Sequence, residues 1–102
     1  MQVNKEQFGS EVLESNIPVL VDFFATWCGP CKMMGPVLDN FEKASAGTVK
    51  VVKVDVDQNP ELAAQFGVMS IPTLVVFKDG VAKAVAVGTK TIPELNDLVL
   101  KA

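Results

Sequence analysis

The stretch Pro18 to Phe24 (PVLVDFF) constrains this chain more than any other segment. It is short, almost continuously apolar and rich in β-formers, so it reads as a strand covered on both faces. Such a strand needs one layer above it and another below. The flanking segments supply them. Asn4 with Gln7 has the spacing of a capping box, and Phe8, Val12 and Leu13 recur at helical spacing, which predicts a helix over 5–15. Cys28 to about Ala46 repeats that spacing through Met33, Met34, Val37, Leu38 and Phe41. Gly47 suits the C-cap of this helix, and Pro36 is expected to kink it. Val49 to Val56 predicts a second strand, and Asn59-Pro60 reads as the N-cap and first residue of a short helix ending near Gly67. Thr73–Phe77 and Val81–Val87 predict a hairpin turning at Asp79-Gly80. Thr91 with Glu94 forms another capping box, ahead of a helix whose apolar face holds Leu95, Leu98 and Val99. The order predicts an α/β fold: a central mixed sheet with helices on both faces, in one domain over 1–102. Phe8, Phe23, Phe41, Phe66 and Phe77 are assigned to its core, and Met33 and Met34 are read as gap-fillers.

Composition removes whole classes of function. With 102 residues, 49% of them apolar, the chain can bury one core and is too apolar for disorder. A net charge of −3 offers no electrostatic footprint for phosphate backbones, so no nucleic-acid partner is expected. Histidine is absent, which eliminates Ser-His-Asp and Cys-His nucleophiles, histidine proton shuttles and histidine metal ligands. Asp22, Pro72, Lys78 and Lys83 break the apolar stretches far short of the ~20 residues that span a bilayer. Glu6 and Glu11 stand where a secretion signal needs an apolar run, so the reducing cytosol is the expected compartment.

The two cysteines of the chain lie in Trp27-Cys28-Gly29-Pro30-Cys31-Lys32, between the buried strand and a helix. Three readings compete. A structural zinc site needs four ligands, and with two thiols and no histidine it survives only through dimerisation or an unusual carboxylate set. A structural disulfide closing so short a loop stabilises by only ~2 kcal/mol, against ~4.7 for a 100-residue loop. A redox dithiol fits best, because the pair opens a helix after a strand. At a helix N-terminus, unpaired N–H groups and the macrodipole favour an anion, so Cys28 is expected to ionise below the thiol reference of about 8.5. Cys31 follows one turn later on the same side, and Pro30 fits the first turn, where a missing N–H costs nothing.

This hexapeptide, following a strand that contains Asp22, resembles the thioredoxin family. Asp57-Gln58-Asn59-Pro60, Ser70-Ile71-Pro72-Thr73, Phe77-Lys78-Asp79-Gly80 and Gly88 extend the resemblance over essentially the whole chain. The resemblance implies a thioredoxin fold and a redox carrier with protein-disulfide reductase activity. Cys28 would be the attacking nucleophile and Cys31 the resolving thiol of two successive exchanges. It matches Pro72 to the family's cis-proline beside the dithiol, although an ordinary proline at a strand start would read the same way. Asp22 interrupts an apolar strand and must either shift its pKa upward or find a partner, for which Lys53 is the candidate. The resemblance implies more: Asp22 as acid and base for Cys31, acting through water, with Lys53 tuning its charge.

Target recognition is expected at a modest apolar surface of Trp27, Gly29, Pro30, Ile71, Pro72, Val87 and Gly88, although Ile71 and Val87 also read as core residues. The implied partners are a thioredoxin reductase and disulfide-bearing target proteins. No cofactor is expected beyond the dithiol itself, and the default state is a monomer. Two alternatives stay open, an oxidant or isomerase and a non-catalytic scaffold. Gly-Pro between the cysteines weakens the first, and the presence of Cys28, Cys31 and Asp22 together weakens the second. The chain departs from the common pattern at Phe24, where many bacterial members have a second tryptophan, and at Gly35, where a better helix former is usual.

Overall fold

The computed structural model describes residues 1–102. Four strands form one mixed sheet in the order β2-β1-β3-β4: β1 (Val19–Phe24), β2 (Lys50–Asp55), β3 (Thr73–Lys78) and β4 (Val81–Val87). β1 pairs parallel with β2 and antiparallel with β3, which in turn pairs antiparallel with β4. The central β1 is buried almost end to end, as its unbroken apolar sequence requires.

Alternate residues of the strands separate two cores. One face packs Val19, Val21, Phe23, Val52, Val54, Val75 and Phe77 under α1 (Lys5–Phe8) and α3 (Pro60–Gln65). The other packs Leu20, Val51, Leu74 and Val76 against α2 (Gly29–Ala44) and α4 (Ile92–Lys101). The helices are thus divided between the two faces, as predicted.

Local signals account for most boundaries. Both capping boxes are formed, Asn4 with Gln7 and Thr91 with Glu94, each satisfying two N–H groups that the first turn leaves unpaired. At the hairpin turn, Asp79 and Gly80 both take positive φ (54° and 76°), the backbone that matches the twist of the paired strands. α1 runs on without a break as a π-helical turn (Gly9–Leu13) and stops two residues before the predicted end. α2 ends at Ala44 rather than Ala46. Its C-cap is Ser45, not Gly47, because the Ser45 N–H and Oγ both donate to the Phe41 carbonyl, at 3.0 and 2.6 Å.

Two expectations are corrected. The Asn59 side chain makes no capping bond to α3; it is buried, donating to the Asp55 carbonyl and accepting from the Lys5 N–H, so it ties α1 to the end of β2. Met33 is not a gap-filler: it is 72% exposed, while Met34 alone enters the core. The outer edge of β2 is covered by the start of the chain. The Lys53 N–H donates to the Met1 carbonyl and the Val3 N–H donates to the Lys53 carbonyl, so residues 1–3 run alongside β2 as a short parallel bridge.

Candidate functional site

β1 ends at Phe24, and the chain turns through Ala25–Trp27 to deliver Cys28 to the N-cap of α2. Cys28 and Cys31 form a disulfide with Cα atoms 5.2 Å apart. Pro30 lies in the first turn, as its missing N–H allows. The Cys31 N–H donates to Cys28 Sγ at 3.2 Å, and the Lys32 N–H donates to the Cys28 carbonyl at 3.2 Å. The Lys32 bond is the first of the helix ladder, while the Cys31 N–H, one of those the first turn leaves free, is directed at the Cys28 sulfur, so a negative charge there would sit where the helix dipole favours it. Both cysteines are buried, against Ala25 with Phe24, Val56 and Ile71 around them.

The Ile71–Pro72 peptide bond is cis. It places the Ile71 carbonyl oxygen 3.9 Å from Cys28 Sγ. Neither the N–H nor the carbonyl of Ile71 has a backbone partner, while the Pro72 carbonyl accepts from the Gly88 N–H at 2.8 Å. Gly88 takes φ +93°, a backbone that side-chain-bearing residues rarely adopt. Around the disulfide, Trp27 is 68% exposed and Val87 54% exposed, Gly29 and Pro30 are exposed, Ile71 and Gly88 are half-buried, and Pro72 is buried. Val87 therefore lies on the surface rather than in the core, because β4 is an edge strand whose outward residues nothing covers.

Asp22 and Lys53 are register partners on β1 and β2, both on the face that α2 covers. They come no closer than 4 Å and form no ion pair, so Lys53 does not neutralise Asp22 by contact. Asp22 is 2% exposed, and its Oδ1 has no hydrogen-bond partner in the chain. Burial pushes the Asp22 carboxyl from 3.8 up to about 6, against the opposing pull of the Lys53 charge. Asp22, Lys53 and Cys31 line one pocket of about 360 Å³. Cys28 is not part of it. The two sulfurs thus face different surroundings, Cys28 toward Ile71 and Cys31 toward the buried carboxylate.

One contact had no local signal in the sequence: the Trp27 indole N–H donates to Asp57 Oδ2 at 2.7 Å, across thirty residues. No group of three His, Cys, Asp or Glu side chains is placed to hold a metal ion, and no helix is long and apolar enough to cross a membrane.

The thioredoxin family model matches residues 1–101. The chain belongs to the thioredoxin family. It is 45% identical to a thioredoxin of Rickettsia felis over 98% of this chain and 95% of that one. It is 50% identical to a thioredoxin of Mycobacterium tuberculosis over 97% and 89% of the two chains. A third relative, thioredoxin 1 of Synechococcus elongatus, is 58% identical over 76% of this chain and 73% of its own. The sheet order, the two helical layers and the disulfide at the N-cap of α2 are those of the thioredoxin fold, in which the redox-active group is the disulfide itself rather than a bound cofactor.

Proposed function

We propose that the chain reduces disulfides in other proteins, with Cys28 as the attacking thiolate, Cys31 as the resolving thiol and Asp22 as the group that exchanges a proton with Cys31. The observation that carries this reading is the asymmetry of the two sulfurs: one is directed at a surface with an unpaired peptide unit, the other at a buried, partnerless carboxylate.

In the reduced chain, Cys28 attacks one sulfur of the target disulfide, forming a mixed disulfide and releasing the target's other sulfur as a thiolate. Cys31 loses its proton to Asp22 and attacks Cys28. The Cys28–Cys31 bond forms, the Cys28–target bond breaks, and the second target sulfur leaves. Two electrons pass from the dithiol to the target, and a thioredoxin reductase would return them. An extended target segment would pair with the free N–H and carbonyl of Ile71, with Trp27, Gly29, Pro30, Pro72, Val87 and Gly88 forming the surface around it. Lys53 lowers the Asp22 pKa from the neighbouring strand and so sets the pH at which the carboxylate accepts a proton. The compartment that suits this chemistry is reducing, as in the cytoplasm.

Cys31→Ser tests the division of labour. It is expected to accumulate a covalent complex with disulfide-bearing proteins through Cys28; absence of that complex overturns the assignment. The direction of electron flow is read from the reduction potential, followed by Trp27 fluorescence in dithiothreitol buffers. A value near the thioredoxin reference of about −270 mV supports reduction, and one above roughly −200 mV makes the chain an oxidant or isomerase.

A further inference from the structure

The surface proposed to meet the target is assembled from three separate pieces of chain. Trp27, Gly29 and Pro30 surround the start of α2, Ile71 and Pro72 share the cis peptide bond, and Val87 and Gly88 end β4. Two hydrogen bonds join the last piece to the others. The Gly88 N–H donates to the Pro72 carbonyl at 2.8 Å. Two residues later the Lys90 N–H donates to Met34 Sδ on α2 at 3.2 Å. Only Gly88, Thr89 and Lys90 separate β4 from Thr91, the N-cap of α4, so this bond fixes a very short loop. Met34 is 1% exposed and stands about one helical turn beyond Cys31. We propose that the Met34 thioether is a positioning group for target binding, latching the loop that follows Val87 and Gly88 to the helix that carries both cysteines. The inference rests on the reductase reading above; burial keeps Met34 itself from touching the target.

The sulfur, rather than the bulk of the side chain, is what this place uses. A leucine of similar volume would fill the same core position, so packing alone does not call for a thioether. The Lys90 N–H has no other acceptor in the chain, and Sδ, although a weak acceptor, is the one atom of α2 that bonds to this loop. Lys90 also grips the loop from its other end. Its ammonium folds back to the Val87 carbonyl at 2.9 Å, across the bend that Gly88 makes with φ +93°. Lys90 is thus tied to α2 by its backbone and to β4 by its side chain. A cavity of about 330 Å³, lined by both Met34 and Lys90, borders the bond. Without the sulfur, water there would take the Lys90 N–H. The loss would then fall on the position of the loop rather than on an orphaned buried donor.

Met34→Leu keeps the volume and removes the acceptor, and Met33→Leu at the exposed neighbouring position is the control. The reduced chain is mixed with rising concentrations of insulin, and its oxidation is followed by Trp27 fluorescence. This gives a half-saturation concentration and a limiting rate. Hydroxyethyl disulfide, too small to reach the loop from Cys28, is the second substrate. Met34→Leu is expected to raise the half-saturation for insulin roughly threefold, to keep the limiting rate and the rate with hydroxyethyl disulfide within about twofold, and to speed hydrogen exchange at the Lys90 amide about tenfold. Met33→Leu is expected to match the parent in all four. Should Met34→Leu fail to fold, a chain with Met33 and Met69 already leucine is made with selenomethionine or with norleucine. Selenium keeps an acceptor and is expected to preserve parent behaviour, whereas norleucine is expected to reproduce the changes. An unchanged half-saturation for insulin overturns the proposal, whatever happens at Lys90, and so does an equal slowing with both substrates. If the parent reduces neither substrate, the reductase reading fails, and exchange at Lys90 alone then decides whether the thioether latches the loop.

Discussion

Val19, Val21 and Phe23 face one side of the sheet, while Leu20, Asp22 and Phe24 face the other. The first side is apolar except at its end, where buried Thr73 donates its hydroxyl to the Ser70 carbonyl, and the rings of Phe8, Phe66 and Phe77 stand 5.0–5.5 Å apart. The second side begins as a similar core under α2 and α4 but ends, toward the C-terminal end of β1, in a partnerless carboxylate, a pocket and a disulfide. One strand thus builds a face that stabilises and a face that gives up stability for chemistry. Burying Asp22 unpaired is unfavourable, and the apolar side is what makes that tolerable.

The largest expected effect lies on the apolar side. Phe77→Ala removes a ring in edge-to-face contact with both Phe8 and Phe66 and is expected to destabilise by about 3–5 kcal/mol in urea denaturation. Exchange per folded molecule should be unchanged; a loss of stability under about 1 kcal/mol would mean that this face is not the one holding the fold. Asp22→Asn makes the opposite change on the other side. Its folded pKa, about 6, exceeds the unfolded value of 3.8, so between these values the folded chain binds more protons. The contribution of Asp22 to stability therefore falls as pH rises through that window and stays low above it. The Asn variant is expected to be more stable than the parent at pH 8, with an advantage that shrinks by roughly 2–3 kcal/mol on going to pH 4. It should also resolve mixed disulfides more slowly. An advantage independent of pH would show that Asp22 is not the titrating group, and unchanged turnover between about pH 6 and 9 would remove it from the mechanism.

The apolar side was the more legible of the two in the sequence, for a physical reason. Its residues announce themselves by period: alternate positions of β1, β2 and β3, and helical spacing in α1. The capping boxes and the Asp79-Gly80 turn were legible too, because their signals are local. The chemical side depends on contacts between distant residues. Cys28 and Cys31 were evident from their spacing, but only the resemblance to a family connected them with Asp22, Lys53 and Pro72. Residues 1–3 are too few to show any period, so nothing in them foretold that Gln2 would reach the rim of the Asp22 pocket. Likewise the Trp27–Asp57 bond joins two loops. Asn59 was misread because its local pattern, Asn before Pro at a helix start, is satisfied in form, while its side chain answers to a stronger demand from Lys5 and Asp55.

The same substitution at two glycines gives the finest test of the contrast, with opposite signs expected. Gly80, in the β3–β4 turn, has φ +76°, and a Cβ there would stand 2.9 Å from the Leu13 carbonyl oxygen at the end of the first helix. Gly80→Ala thus adds left-handed backbone strain to a clash with backbone, and is expected to destabilise by at least about 1–2 kcal/mol. Gly35 lies inside α2 on the chemical side with an ordinary helical backbone, and a Cβ there would meet nothing within 4 Å. Gly35→Ala removes the entropy cost of a mid-helix glycine and is expected to stabilise by about 0.5–1 kcal/mol, read as a higher urea midpoint with an unchanged slope. If Gly35→Ala instead destabilised the chain, the room at that position would be needed by the fold itself, and the chemical side would be as tightly constrained as the apolar one.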